Sequence, residues 1–177
     1  FKAQLIKGKW TKITTLSINN DNYSTEHPAL SPDEKTLYFA SDMPNGFGSF
    51  DIYSVAILNN GSMGLPENLG SKINTDKKEQ FPYIDSNNNL YFSSNGLPGF
   101  GGMDVFISKI NNKTVSKPDN IGLPINSSYD DFSFNINQST KEGYFSSNRT
   151  SGKGNDDIYK ITEKKALVIE DCIQYIS

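Results

Sequence analysis

The sequence predicts an all-β fold built from about three repeated four-stranded antiparallel modules, and three observations carry that prediction. One motif is written three times, as Leu37-Tyr38-Phe39-Ala40-Ser41, Leu90-Tyr91-Phe92-Ser93-Ser94 and Gly143-Tyr144-Phe145-Ser146-Ser147. The step from Tyr38 to Tyr91 equals the step from Tyr91 to Tyr144, 53 positions each time. A glycine-rich stretch then leads to an Asp-aliphatic-aromatic triplet, Asp51-Ile52-Tyr53, Asp104-Val105-Phe106 and Asp157-Ile158-Tyr159, at the same step. Self-similarity at such a period marks a repeat architecture, in which each unit buries its apolar face against its neighbours.

Each unit can be followed outward from those anchors. An outer run comes first, Leu65-Pro66-Glu67-Asn68-Leu69-Gly70 with Ile73-Asn74, and Lys117-Pro118-Asp119-Asn120-Ile121-Gly122 with Ile125-Asn126; residues 10–19 stand there in the first copy. An aromatic-containing run follows, His27-Pro28-Ala29-Leu30, Phe81-Pro82-Tyr83-Ile84 and Phe132-Ser133-Phe134-Asn135, offset by a residue either way. The Tyr-Phe run and the Asp triplet complete the unit. Alternating apolar and polar residues rich in Tyr, Phe, Ile and Val read as strands, and the Asn, Gly, Ser and Pro between them read as turns. Ser31-Pro32-Asp33-Glu34 fits a type I turn, and Asn60-Gly61 a tight hairpin, because both residues tolerate positive φ. No stretch shows a helical period.

Four antiparallel strands at this length match one blade of a β-propeller. The expected organisation is a propeller segment over 1–165, with blades near 10–60, 61–112 and 113–162 and the end of a preceding blade at 1–9, then a C-terminal strand or the start of another domain at 166–177. Phe1 falls in the column of Tyr53 and Phe106, so the sequence is expected to begin inside a blade. Three blades do not close a ring; the missing ones are expected from upstream sequence or from another chain.

Composition bounds the function. The net charge is −3 and the pI about 5.2, which supplies no basic stripe for a phosphate backbone, so nucleic acid is not an expected partner. No apolar run is long enough to span a bilayer as a helix, and direct membrane insertion is not expected. Cys172 is the single cysteine and reads as a buried strand residue. Trp10 reads as an outer-strand packing residue rather than a sugar platform.

The blade also sorts loops by face. Short turns share one face, and the long Gly-rich loops share the other with the Ile-Asn connections; binding residues concentrate on long loops held by a rigid scaffold. The Gly-rich loops are not phosphate cradles, because no helix follows them, and the first two supply too few oxygen ligands for calcium. Asp51, Asp104 and Asp157 are therefore expected to bond their own loop backbones; no metal or cofactor is expected, and only the third loop, with Asn155, Asp156 and Asp157 together, leaves room for a cation. His27, the only histidine, stands in a column read as holding Phe81 and Phe132, a packing position. Without a second histidine neither a Ser-His-Asp triad nor a His-based metal site can be built, and no enzyme activity is expected of these residues. Glu26, Glu79, Asp130 and Asp131 precede the innermost strands and are the candidate binding residues, placed around the mouth of a central channel.

The phrase Leu30-Ser31-Pro32-Asp33-Glu34-Lys35-Thr36-Leu37-Tyr38-Phe39-Ala40-Ser41, with Gly99-Phe100-Gly101-Gly102-Met103-Asp104-Val105-Phe106, resembles the WD40-like β-propeller repeat called PD40, known from TolB-type propellers. The Pro-x-Asn-Leu-Gly-x-x-Ile-Asn element at 66–74 is similar to the version in OmpA-family envelope proteins. In that family a lipoprotein signal and tetratricopeptide helices tend to precede the propeller. A carboxypeptidase-regulatory-like domain and a peptidoglycan-binding domain follow, and one relative tethers the type IX secretion apparatus to peptidoglycan. The resemblance implies a periplasmic, outer-membrane-associated setting and a non-catalytic scaffold with a protein partner in an envelope complex. No OmpA-like domain lies in these residues, so peptidoglycan binding is not assigned to them. Ile84-Asp85-Ser86 replaces Ser-Pro-Asp in the second copy, which shortens one turn. Two other readings are the accessory propeller of a peptidase or other hydrolase, which needs a Gly-x-Ser-x-Gly elbow downstream, and a glycan-binding propeller, which needs paired carboxylates and aromatic platforms in one cleft.

Overall fold

The computed structural model describes residues 1–111 and 114–164. The expected segment at 166–177, with Cys172, lies outside the described residues. The chain is all-β, with fourteen strands among the described residues. β1 (Lys2–Ile6) and β2 (Lys9–Thr14) form a two-stranded sheet. β3 (Thr25–Leu30), β4 (Thr36–Ser41), β5 (Asp51–Ala56) and β6 (Glu67–Asn68) form the first blade in sequence order. The second runs β7 (Glu79–Ile84), β8 (Asn89–Ser94), β9 (Asp104–Asn111) and then β11 (Asp119–Asn120), with β10 (Thr114–Val115) pairing the far end of β9. β12 (Asp131–Asn137), β13 (Glu142–Ser147) and β14 (Asp157–Thr162) form the third.

Every strand pairing is antiparallel and, apart from β9 with β11, joins sequence neighbours, as short turns dictate. The Tyr-Phe motifs are the second strands and the Asp triplets open the third, in identical register: Tyr38 faces Ser54, Tyr91 faces Ile107 and Tyr144 faces Lys160. The sheet is out of phase with the sequence unit. The outer run Glu67-Asn68 pairs with Tyr53 and Ser54, so it closes the blade before it rather than opening the blade after it; Asp119-Asn120 does the same on β9.

Alternation along the strands gives each blade two apolar faces, and the core lies between blades. Tyr38, Ala40 and Ile52 from the first blade meet Ile84, Leu90, Phe92 and Phe106 of the second, with Ile73 from the connecting segment inserted between them. Tyr91 and Val105 meet Phe134, Ile136 and Phe145 of the third, with Ile125 in the place of Ile73. Fully burying one such side chain stabilises by roughly 1.5–3 kcal/mol. The opposite face of the first blade, Leu37, Phe39, Tyr53 and Val55, is covered by Ile18. Trp10 departs from expectation: it is 68% exposed on β2. No third strand joins the β1–β2 ladder among the described residues, so the indole has no blade to pack against.

Candidate functional site

The glycine-rich loops emerge beside the segments that lead into the next blade, and the two are bonded together. Ser49 N donates to Lys77 O at 2.8 Å and Glu79 N to Phe50 O at 2.8 Å. One blade later Asp131 N donates to Met103 O at 2.6 Å, and Met103 N to Asp130 Oδ1 at 2.8 Å. Backbone crowding explains the glycines. A Cβ on Gly48 would stand 2.2 Å from Lys77 O, and one on Gly101 2.0 Å from Tyr129 O.

The three aspartates hold these loops in shape. Asp51 accepts from Phe47 N at 2.6 Å and Gly48 N at 3.0 Å, Asp104 from Phe100 N and Gly101 N at 2.9 Å each, and Asp157 from Lys153 N at 2.7 Å and Gly154 N at 2.9 Å. Asp51 also accepts from Asn68 Nδ2 at 2.7 Å. In the second copy Asp104 Oδ1 and Asn120 Nδ2 are buried without partners, and burial holds the Asp104 carboxyl above the usual aspartate range.

Two asparagines absent from the candidate list organise the junctions. Asn74 accepts from Ile52 N at 2.8 Å and donates to Ile52 O at 3.0 Å; Asn126 makes the same pair with Val105, at 2.8 Å both ways. Each also donates to the outer-strand asparagine six residues earlier, Asn68 or Asn120, at 2.8 Å. A carboxamide carries an acceptor and a donor side by side, so it completes the ladder as a strand residue would. The signal in the sequence is the Asn-x5-Asn spacing that ends each Ile-Asn pair.

The acidic candidates do not form one ring. Glu79 and Asp131 pair with Ser94 and Ser147, and the residue in that column of the first blade is Thr25, opposite Ser41. Both carboxylates are 0% exposed. Glu79 accepts from Thr75 N and Thr75 Oγ1 at 2.8 Å and from Ser94 Oγ at 2.6 Å; burial still raises its pKa. Asp131 accepts from Ser127 N at 2.6 Å, Ser127 Oγ at 2.7 Å and Arg149 Nη2 at 2.6 Å. Both bond the segment that leads into their own blade, at Thr75 and Ser127. Asp130 holds Met103 N and the Asn148 amide, the latter at 3.0 Å. Glu26 lies one step along, opposite Ala40, where the other blades have Gln80 and Phe132; Gln80 Nε2 donates to Glu26 Oε1.

The turn after the inner strand is one residue shorter in the second blade, where Tyr83 pairs with Tyr91, than in the others, where Ala29 pairs with Tyr38 and Asn135 with Tyr144, and this shifts the columns; every inner strand also carries a β-bulge, between Glu26 and Ala29, Gln80 and Tyr83, and Phe132 and Asn135. Its residue has positive φ in each blade, 52° at His27, 55° at Phe81 and 56° at Ser133. The column of His27 therefore holds Phe81 and Ser133, not Phe132. Bulges re-aim side chains, and here the rings line up across the blades. His27 stacks on Phe81 at 3.8 Å between centroids, and Phe81 meets Phe132 at 5.0 Å. Beside them a depression of about 280 Å³ lies between the second and third blades, with Phe81, Phe132 and Met103 as its apolar part and Lys78, Gln80 and Asp130 as its polar part. Left-handed backbone at a bulky residue is strained and is retained where the surroundings impose it.

This architecture defines the class: the described sheets are blades of a β-propeller, radially adjacent and open at both ends. Solved structures agree at the level of fold. The chain is similar to TolB from Acinetobacter baumannii, with a TM-score of 0.50 and 14% identity, over 76% of this chain and 29% of that one. It is also similar to a puromycin-hydrolyzing peptidase from Mycobacterium tuberculosis, with a TM-score of 0.51 and 15% identity, over 90% of this chain and 25% of that one. The chain thus spans less than a third of the length of either. No protein-family model matches the chain. No curated protein matches it either.

Proposed function

We propose that this propeller segment is a non-catalytic protein-interaction scaffold of a bacterial cell-envelope assembly, periplasmic and outer-membrane associated. The observation that carries the reading is the ring row His27, Phe81 and Phe132 on the long-loop face, two of its rings on the bulge residues of their inner strands and the third on the residue before the bulge. Apolar rings flanked by amides and a lysine suit a protein surface, in which aromatic anchors sit inside a polar rim. The likeness to a TolB propeller and the PD40-type phrases support an envelope setting; an OmpA-family or type IX secretion link rests on the 66–74 element alone. The uncovered blade faces are completed by upstream sequence or by another chain. A photo-crosslinking residue placed at Gln80 in cells tests the reading. The expected result is a covalent adduct with a defined envelope protein that is lost in the Phe81→Ala, Phe132→Ala double variant. No adduct from Gln80, or one indifferent to the double variant, would overturn it.

The peptidase likeness, which extends over 90% of this chain, favours a second reading as the accessory propeller of a hydrolase. A Gly-x-Ser-x-Gly elbow in the downstream reading frame would decide for it.

A further inference from the structure

Two of the three blades receive a lead-in segment, and the third carries the same receiving surface with nothing described upon it. The lead-ins share one pattern: Asn-(Leu/Ile)-Gly-x-x-Ile-Asn-(Thr/Ser)-x-x-x-(Glu/Asp), at 68–79 and 120–131. Each fixed residue has a mechanical part. The isoleucine, Ile73 or Ile125, is buried between blades. The second asparagine takes the outward N–H and C=O of Ile52 or Val105. The Thr or Ser donates to the final acid, whose own N–H reaches Phe50 O or Met103 O.

By register the matching positions of the third blade are Ile158 for Ile52 and Val105, Asp156 for Phe50 and Met103, and Tyr144 for Tyr38 and Tyr91. Ile158 is 77% exposed where its counterparts are 0%, and Tyr144 is 46% exposed against 7% and 2%. Gly154 occupies the place of Gly48 and Gly101 in a loop that Asp157 holds in the same way. Yet a Cβ there would come no nearer than 3.4 Å to any described atom outside its chain neighbours. The loop keeps a glycine that only an incoming carbonyl would require.

We propose that this edge, Gly154, Asp156, Ile158 and Tyr144, is a docking site for an extended polypeptide segment of the lead-in type, recognised by its isoleucine and its second asparagine. The inference rests on the sheets being blades, and it concerns different residues from the ring row, so its failure leaves the crosslinking test at Gln80 standing. Strand-edge docking of this kind takes affinity from main-chain bonds and specificity from the side-chain pockets.

The probe is a synthetic peptide with the sequence of residues 117–131, titrated against the whole chain, with hydrogen exchange to locate it. The expected results are saturable binding and new protection at 156–158. Binding should weaken at least tenfold when the peptide carries Asn126→Ala. It should weaken as much when the chain carries Gly154→Ala, a change that leaves the thermal midpoint of the free chain in place. Absence of binding, binding indifferent to both substitutions, or protection at 103–105 instead, which would mean displacement of the chain's own lead-in, overturns the proposal.

Discussion

Asn74 and Ile52 close a two-bond ring across 22 residues of sequence, the side-chain carboxamide of one holding both main-chain polar groups of the other. Both residues are buried, with Asn74 2% exposed. The blade is therefore finished by a side chain, and the same bonds fasten the following blade to it.

Asn74→Ala strands a buried amide and carbonyl at once, and a buried group without its partner costs about 1–3 kcal/mol. The expected loss is about 2–4 kcal/mol in urea unfolding. Asn74→Asp should recover little, because a carboxylate cannot donate to Ile52 O.

Gly101→Ala forces a methyl group against Tyr129 O and Ser127 O, at 2.0 and 2.7 Å. Backbone cannot yield as a side-chain tip would, so a loss of about 1–3 kcal/mol is expected. Gly154→Ala, at the same station of the third blade, should change stability by less than about 0.5 kcal/mol. Thermal unfolding of the two variants side by side gives the comparison.

Arg149 has no counterpart in the other copies. Its guanidinium donates to Asp131 Oδ1 and Ile125 O at 2.6 Å and to Pro124 O at 3.1 Å, and lies 5.0 Å from the ring centres of Phe145 and Tyr159. Arg149→Met leaves the Asp131 carboxylate buried without its cation, a loss of about 3–5 kcal/mol. The Asp131→Asn, Arg149→Met double variant should lose less than the sum of the single changes, which a double-mutant cycle measures.

His27 gives the fold a pH dependence whose sign follows from its burial. Burial lowers its pKa, and the nearby Glu26 carboxylate opposes that only in part. The unfolded chain then binds a proton more readily than the folded one. The contribution of His27 is fully present above about pH 6.5 and is lost as pH falls through the folded pKa. Glu79 and Asp104, raised by burial, act in the opposite sense: their contribution is greatest at low pH and is lost as pH rises. Comparing thermal midpoints at pH 7 and pH 5 for the native chain and His27→Phe isolates the histidine. Acidification should cost the native chain more stability than the variant, which carries the residue the second blade has at that position.

Much of this fold was legible in the sequence because the repeat is strict where the blades touch. Tyr38, Tyr91 and Tyr144 align without a gap, and so do the aspartates that hold the loops. The candidate acids fall in different columns because the turn between inner and second strand is one residue shorter in the second blade, so that Glu26 stands opposite Ala40 and Glu79 opposite Ser94 although both precede an aromatic ring. That column mixed His, Phe and Ser, so nothing in composition marked the slip. Asn74 and Asn126 were visible as a motif, but their role was not, because a carboxamide acting as a strand partner leaves no periodic trace.

The outer strands β6 and β11 are two residues long, each preceded by a proline and each carrying an acid, Glu67 or Asp119. An edge so brief offers a stray chain almost no ladder to copy, and proline withholds a donor where templating would begin. By handing the last rung to an asparagine side chain, the blade presents a rim on which fibrils find little to grow.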